Sequence, residues 1–357
     1  MPSAVTASVV LLLLLLGAVR LSRARNRPQA PTLRGRADGL GNPEKPAIEP
    51  LDSFDWKSEE PRRFRPFKPV YNISMALQSD APSDLISIDS SYLNRVNLRR
   101  ELIRQHGEKV YGYVDGGSVA VQELYAFLMN DYLPTRFPTI FKLSDDGKEV
   151  KNEVTGRTSP AISAEDPDAA LRTIGETVEE DMFLVHETPN GHASVAFVCC
   201  FPAGFDPSAK LGKLLKDIHG PVPSYEKIGP SMERFFSKLQ VGKSVKRLNW
   251  VVQTHGDLLV FEGLHGAGHG GKTDEGLNID QTFLRVELQT LTRLPQTRAI
   301  LFSFKTYLYP INQLKDEGLG PELADAIEGM RAGNAPGMWL YKGGVRWATS
   351  VCKYLRA

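Results

Sequence analysis

A histidine stands at the end of a short apolar stretch, just before a rigid stop. Residues 206–223 read Asp-Pro-Ser-Ala-Lys-Leu-Gly-Lys-Leu-Leu-Lys-Asp-Ile-His-Gly-Pro-Val-Pro. The spacing predicts one short helix, with Asp206 as N-cap and Pro207 at the first helical position, where no amide donor is needed. Leu211, Leu214, Leu215 and Ile218 fall on one face. Gly220 suits a left-handed C-terminal position, and Pro221 and Pro223 forbid continuation. The imidazole of His219 is thereby fixed beside an apolar face, where it can offer a neutral nitrogen to a metal or macrocycle. A histidine at a helix C-terminus also caps carbonyls and answers the helix dipole. The residues alone leave both roles open.

A second group of reactive side chains sits inside strand-like runs, Lys246-Arg-Leu-Asn-Trp250 and Leu284-Arg-Val-Glu-Leu-Gln289. Alternation puts Arg247 and Asn249 on one face, and Arg285, Glu287 and Gln289 on one face. Facing water, they are ordinary cross-strand polar pairs. Facing inward, they form a polar patch in an apolar pocket, suited to a cationic ligand or a proton. Gly266-Ala-Gly-His-Gly-Gly-Lys-Thr273 matches a P-loop letter for letter. A P-loop must open a helix whose first amides hold phosphate, and no apolar helical stripe follows here, so the match reads as coincidence. His265 and His269 lie four apart, but no helix holds them in so glycine-rich a segment, which argues against zinc.

The elements that must position these groups follow from periodicity. Helices are expected over 90–106, 119–131, 228–239 and 320–332. Strands are expected at 181–186, 193–200, 245–253, 257–262, 282–292 and 297–308, with a hairpin turn at Asn190-Gly191. Residues 143–168 read as an exposed polar excursion, and 263–281 as glycine-rich loop. The fold class is α+β: an antiparallel sheet with helices packed against it.

Composition is ordinary for a globular chain of 357 residues, 41% hydrophobic and 24% charged. Residues 1–36 carry six arginines and no acid, leaving 37 basic and 42 acidic side chains in the remainder. So mildly acidic a body argues against a nucleic-acid partner. The three cysteines, Cys199, Cys200 and Cys352, form no CxxC pair, which fits a reducing compartment. Residues 2–19 are uncharged, and Arg20, Arg23, Arg25 and Arg27 follow them. Eighteen helical residues span about 27 Å, enough for a thin bilayer. Basic residues after the run, with none before it, favour a single-pass anchor over a cleaved signal peptide. The expected division is an anchor and basic stop at 1–27, a Pro/Arg-rich extended tether at 28–69, and a folded domain at 70–357. The expected place is the endoplasmic-reticulum membrane, with the domain cytosolic.

Taken in order, several segments resemble the heme-dependent oxidative N-demethylase-like family. They are Phe201-Pro, Lys210-Leu-Gly212, Asp217-Ile-His-Gly-Pro-Val-Pro223, Glu233-Arg-Phe-Phe236, Val245-Lys-Arg-Leu-Asn-Trp250, Leu284-Arg-Val-Glu-Leu-Gln-Thr-Leu-Thr-Arg-Leu-Pro295 and Ala299-Ile-Leu-Phe-Ser-Phe-Lys-Thr-Tyr307. The resemblance covers roughly residues 70–330. It implies a heme b protein with a PAS-like core, an antiparallel sheet flanked by short helices. It also implies oxidative removal of a methyl group from a small secondary amine, with O2 as co-substrate and formaldehyde as product. By position, His219 would be the proximal iron ligand. Glu287 would be the distal acid/base or ammonium partner, with Arg247 nearby and Tyr225 and Asn249 as further pocket residues. Electrons would come from a separate reductase. A non-catalytic heme sensor or binding protein on the same PAS-like core is the alternative. The chain departs from the family pattern at Leu288, where a basic residue is common, loosely over 71–77, in the glycine-rich insertion around 263–276 and in the anchor. These departures bear on the substrate more than on the heme.

Overall fold

The computed structural model of the chain describes residues 46–65, 67–162, 166–266 and 277–357. The expected anchor and basic stop, the first part of the tether, and all of the P-loop-like match beyond Gly266 lie outside the described residues. Among those described, no helix is long and apolar enough to cross a membrane.

In chain order the strands are β1 (Gln78–Asp80), β2 (Tyr111–Tyr113), β3 (Phe141–Leu143), β4 (Glu149–Asn152), β5 (Arg157–Pro160), β6 (Asp181–Thr188), β7 (Gly191–Val198), β8 (Ser244–Gln253), β9 (Phe283–Arg293) and β10 (Ile300–Pro310). The helices are α1 (Tyr92–His106), α2 (Ser118–Ala126), α3 (Leu133–Arg136), α4 (Pro167–Thr177), α5 (Leu215–Ile218), α6 (Gly229–Lys238), α7 (Ile311–Asp316), α8 (Gly320–Glu328), α9 (Met338–Tyr341) and α10 (Ala348–Arg356). A seven-stranded antiparallel sheet runs β1-β8-β9-β10-β6-β7-β2, and β3-β4-β5 form a second, small sheet. The molecule is thus α+β, as its alternating strand patterns require.

Both faces of the large sheet are covered, and alternation sorts the residues between them. On one face, Met182, Leu184, Ala196 and Val198 pack with α1, α2 and α4, while Leu284, Val286, Leu288, Tyr307 and Tyr309 pack with α7, α8 and α10. On the other face lie Phe183, Phe197, Phe302, Phe304 and Leu291. Register places Glu287 opposite both Asn249 and Thr306, and Gln289 opposite both Arg247 and Phe304. Arg247, Asn249, Glu287 and Gln289 therefore share the phenylalanine face. Residues from 203 to α6 cover it, with Leu211 and Phe205 against the phenylalanines and Leu215, Ile218, Tyr225 and Met232 beside Phe302.

Four expectations are corrected. The helix expected from Asp206 to His219 is broken. Asp206 does cap a turn, accepting from the Ser208 amide at 2.9 Å, but that turn is a 3-10 segment ending at Lys210. Gly212 then takes φ +76° and pairs with β7, its amide donating to the Ser194 carbonyl at 2.8 Å, while the Ser194 amide donates to Lys213 at 3.0 Å. Cross-strand pairing outweighs the local helical pattern, and only Leu215–Ile218 remain helical. Gly220 is not left-handed; His219 itself takes the C-cap. Residues 257–262 form no strand beyond a bridge from Val260 to Ala203. The polar excursion at 143–168 holds most of the small sheet, with Val150 and Asn152 buried.

The fourth correction concerns the tether, which from residue 46 lies on the body. The Leu51 amide donates to the Arg136 carbonyl at 2.9 Å. Phe54 meets Phe137, Trp56 meets Tyr92 and Phe64 meets Tyr307 at ring separations of 5.2, 6.3 and 5.3 Å. These aromatic residues carry no helical or strand period, so only the folded surface shows where they go.

Candidate functional site

Helix α5 is one turn long and delivers His219 at its end. The ring nitrogen Nδ1 lies 2.8 Å from the Leu215 carbonyl. A carbonyl only accepts, so Nδ1 carries the hydrogen and Nε2 holds the lone pair. No described residue hydrogen-bonds Nε2. Burial holds the imidazole below its usual pKa, and the charges of Lys210 and Arg247 act in the same direction. The ring is stacked on Tyr225, 5.0 Å between centroids and 6° from parallel. Tyr225 is fixed in turn: its hydroxyl reaches the Met232 sulfur at 3.8 Å, and Gly229 leaves room for its ring, because an added Cβ there would lie 3.0 Å from it. His219 is thus a neutral, oriented imidazole with one nitrogen tied to backbone and the other unengaged. That is how metal-binding histidines are commonly prepared.

Arg247 supplies the charge beside it. No hydrogen bond or ion pair holds its guanidinium among the described residues, and its Nε is buried without a partner. Burial depresses its pKa, against the opposing effects of Tyr71 and Glu287. A partly buried cation without an anion is costly unless an anionic group completes it.

Glu287 lies on the same face, 6% exposed. Its Oε2 accepts from the Gln289 amide at 2.8 Å and from the Asn249 amide at 3.3 Å. Both amides thus face the carboxylate with donors, which suits its ionised form. Asn249 Oδ1 in turn accepts from Lys342 Nζ at 3.1 Å, and Lys342 also donates to the Trp250 carbonyl. Tyr71 and Tyr341 close the group. Both phenols are pushed up by burial, that of Tyr341 to about 12 with Glu287 as the next cause. His265 stacks on Tyr341 at 4.4 Å, and burial, followed by the Lys342 charge, lowers its pKa to about 4.

Of the residues singled out in the sequence, the structure sets Arg247, Asn249 and Glu287 on one sheet face and stacks His219 on Tyr225. Glu287 and Asn249 touch, Arg247 lies in the adjoining register position, and the charge of Arg247 bears on both Glu287 and His219. Tyr225 belongs to the His219 side, stacked on its ring with its hydroxyl on Met232. Lys342, Tyr341 and His265 escape a sequence reading. Lys342 is 93 residues from Asn249 and sits in a short aromatic tail, where no spacing ties it to either strand. Two cavities lie elsewhere, one lined by Arg100, Asn152 and Arg157, the other by Arg331, Trp339 and Lys353.

A neutral imidazole with one free nitrogen, a partly buried guanidinium without an anion and a phenylalanine-lined sheet face would together suit a heme, whose iron takes a histidine and whose propionates take a cation. They form a candidate heme site on the sheet of an α+β protein. The sequence model of the haem-dependent oxidative N-demethylase, alpha subunit-like family matches residues 76–352. The chain belongs to that family.

Proposed function

We propose that the chain is a heme b oxygenase that removes a methyl group oxidatively from a small amine. His219 would hold the heme iron, Arg247 would pair with an anionic edge of the macrocycle, and Glu287 would meet the amine. The observation that carries this reading is the His219 tautomer, with Nδ1 committed to the Leu215 carbonyl and Nε2 free. The sheet order β7-β6-β10-β9-β8, with the first hairpin of the unit against its last strand, supports a PAS-like core.

The bound heme would supply O2 activation. In the overall reaction a methylated amine, O2, two electrons and two protons give the demethylated amine, formaldehyde and water. Glu287, held by two amide donors, attracts the ammonium and orients its methyl group. It also accepts the proton the nitrogen must lose before oxidation. Burial keeps water from competing for that carboxylate. The electrons come from a separate reductase. The uncharged run at 2–19 with the arginines behind it ties the protein to the endoplasmic-reticulum membrane, the domain on the cytosolic side.

The test is an absorption spectrum of the full chain with added hemin, wild type against His219→Ala. A Soret band that His219→Ala abolishes or shifts is expected. An identical band in both proteins overturns the ligand assignment. With a generic reductase and O2, formaldehyde release from methylated amines is then expected; heme uptake with no release across a broad panel points to a sensor.

A further inference from the structure

We propose that Lys342 is a proton-linked counter-cation for Glu287, a positioning residue that gives up its proton when a cationic amine takes the carboxylate. This rests on the assignment of Glu287 as the ammonium partner. Lys342 is 3% exposed, yet among the described residues its ammonium donates to the Asn249 side chain and the Trp250 carbonyl rather than to a carboxylate. Strand β1 covers β8 only as far as Lys246, so the Trp250 carbonyl is open at the sheet edge, and Lys342 fills that position from the end of α9. Its ammonium lies 5.1 Å from the Trp250 ring centre and 5.5 Å from that of Tyr71. Among the described residues, the acid coupled to it is Glu287, reached through the Asn249 side chain.

The other ionisable groups around Lys342 define the balance. Arg247 faces it from β8, Tyr71 from the N-terminal segment, Tyr341 from its own helix and His265 from the loop before residue 267. Both tyrosines and His265 are neutral near pH 7. With Arg247 assigned to the anionic edge of the macrocycle, Lys342 is the cation set against the Glu287 carboxylate, and a bound ammonium would be a second. Burial lowers the Lys342 pKa to about 7, Glu287 opposing and Arg247 assisting. Loss of one proton to solvent restores the charge balance when the amine binds. Linkage then makes amine affinity rise with pH through the Lys342 midpoint.

The experiment measures dimethylammonium binding to the heme-loaded full chain by calorimetry at pH 6 and pH 8. This probe stays cationic at both. Wild type is expected to bind about tenfold more weakly at pH 6, since a protonated Lys342 must first be discharged. Lys342→Met should bind equally at both pH values and at least as tightly as wild type at pH 8. Equal wild-type affinities, or a pH dependence that survives Lys342→Met, overturns the proposal. An independent readout needs no heme: the pH titration of 13C-lysine Cε signals, with the Lys342 peak identified by its loss in Lys342→Arg. A midpoint near neutrality that falls by about one unit in Glu287→Gln supports the coupling. An ordinary lysine midpoint, or one unmoved by Glu287→Gln, overturns it whatever the heme and amine measurements give.

Discussion

In the proposed reaction His219 and Glu287 carry the chemistry, and neighbouring groups prepare both. The Leu215 carbonyl fixes the His219 tautomer, and Asn249 joins the Glu287 carboxylate to a buried lysine. The lysine has a cost that can be measured. Burial lowers its folded pKa to about 7, below the ordinary lysine value of about 10.4, so between these pH values the unfolded chain binds a proton that the folded chain does not. Stability therefore rises with pH across that window, and at neutral pH burial of the charge costs on the order of 4 kcal/mol. Removing the ammonium leaves the Trp250 carbonyl and Asn249 Oδ1 without their donor; both residues are only half-buried, so each costs about 1 kcal/mol, roughly 2 kcal/mol together. The first effect is the larger. Lys342→Met is expected to raise the unfolding free energy by about 1–2 kcal/mol at pH 7, read from urea denaturation. A lysine kept for stability would give the opposite sign.

At the scale of elements, the site depends on segments far apart in sequence being clamped together. Residues 69–73 pass under the segment 329–334: the Tyr71 amide donates to the Gly329 carbonyl at 3.2 Å, and the Ile73 amide to Asn334 Oδ1 at 2.7 Å. A Cβ on Gly333 would fall 1.4 Å from the Tyr71 carbonyl oxygen, so backbone must shift to admit it. Gly333→Ala is expected to cost about 2–3 kcal/mol in urea unfolding. By loosening Tyr71 and α9 it should also weaken the pH dependence attributed to Lys342. The control is Gly147→Ala, where no atom lies within 4 Å of an added Cβ and only the left-handed φ of +69° is strained. About 1 kcal/mol is expected there, with no effect at the site.

At the scale of the whole molecule, the body begins well before Val70. Residues 46–69 lay Phe54, Trp56 and Phe64 on buried aromatic partners, and Arg65 pairs with Glu317 at 3.1 Å. Fully burying one such ring contributes about 1.5–3 kcal/mol, and these are half-buried. A chain starting at Val70 should therefore be about 3–4 kcal/mol less stable than one starting at residue 46. Thermal unfolding of the two checks this, and equal midpoints would return residues 46–69 to the role of a spacer.

The sequence by itself determined the periodic parts of this protein. Long strands such as β9 and β10, the Asn190-Gly191 hairpin and the amphipathic helices declare themselves because each residue's face follows from its own neighbours in the chain. Alternation likewise placed Arg247 with Asn249 and Glu287 with Gln289, and the proline stop marked His219. What alternation could not say was that both faces are covered and by what; that was decided when β8, β9 and β10 paired and residues 203–241 lay down across the phenylalanine face. The same pairing broke the expected helix, since Gly212 exchanges hydrogen bonds with Ser194 that no local pattern encodes. Lys342 is the clearest case of a role fixed only by tertiary structure. A lone lysine in an aromatic tail acquires a depressed pKa and a coupled carboxylate only because α9 sets it at the open edge of β8, beside Asn249 and away from water.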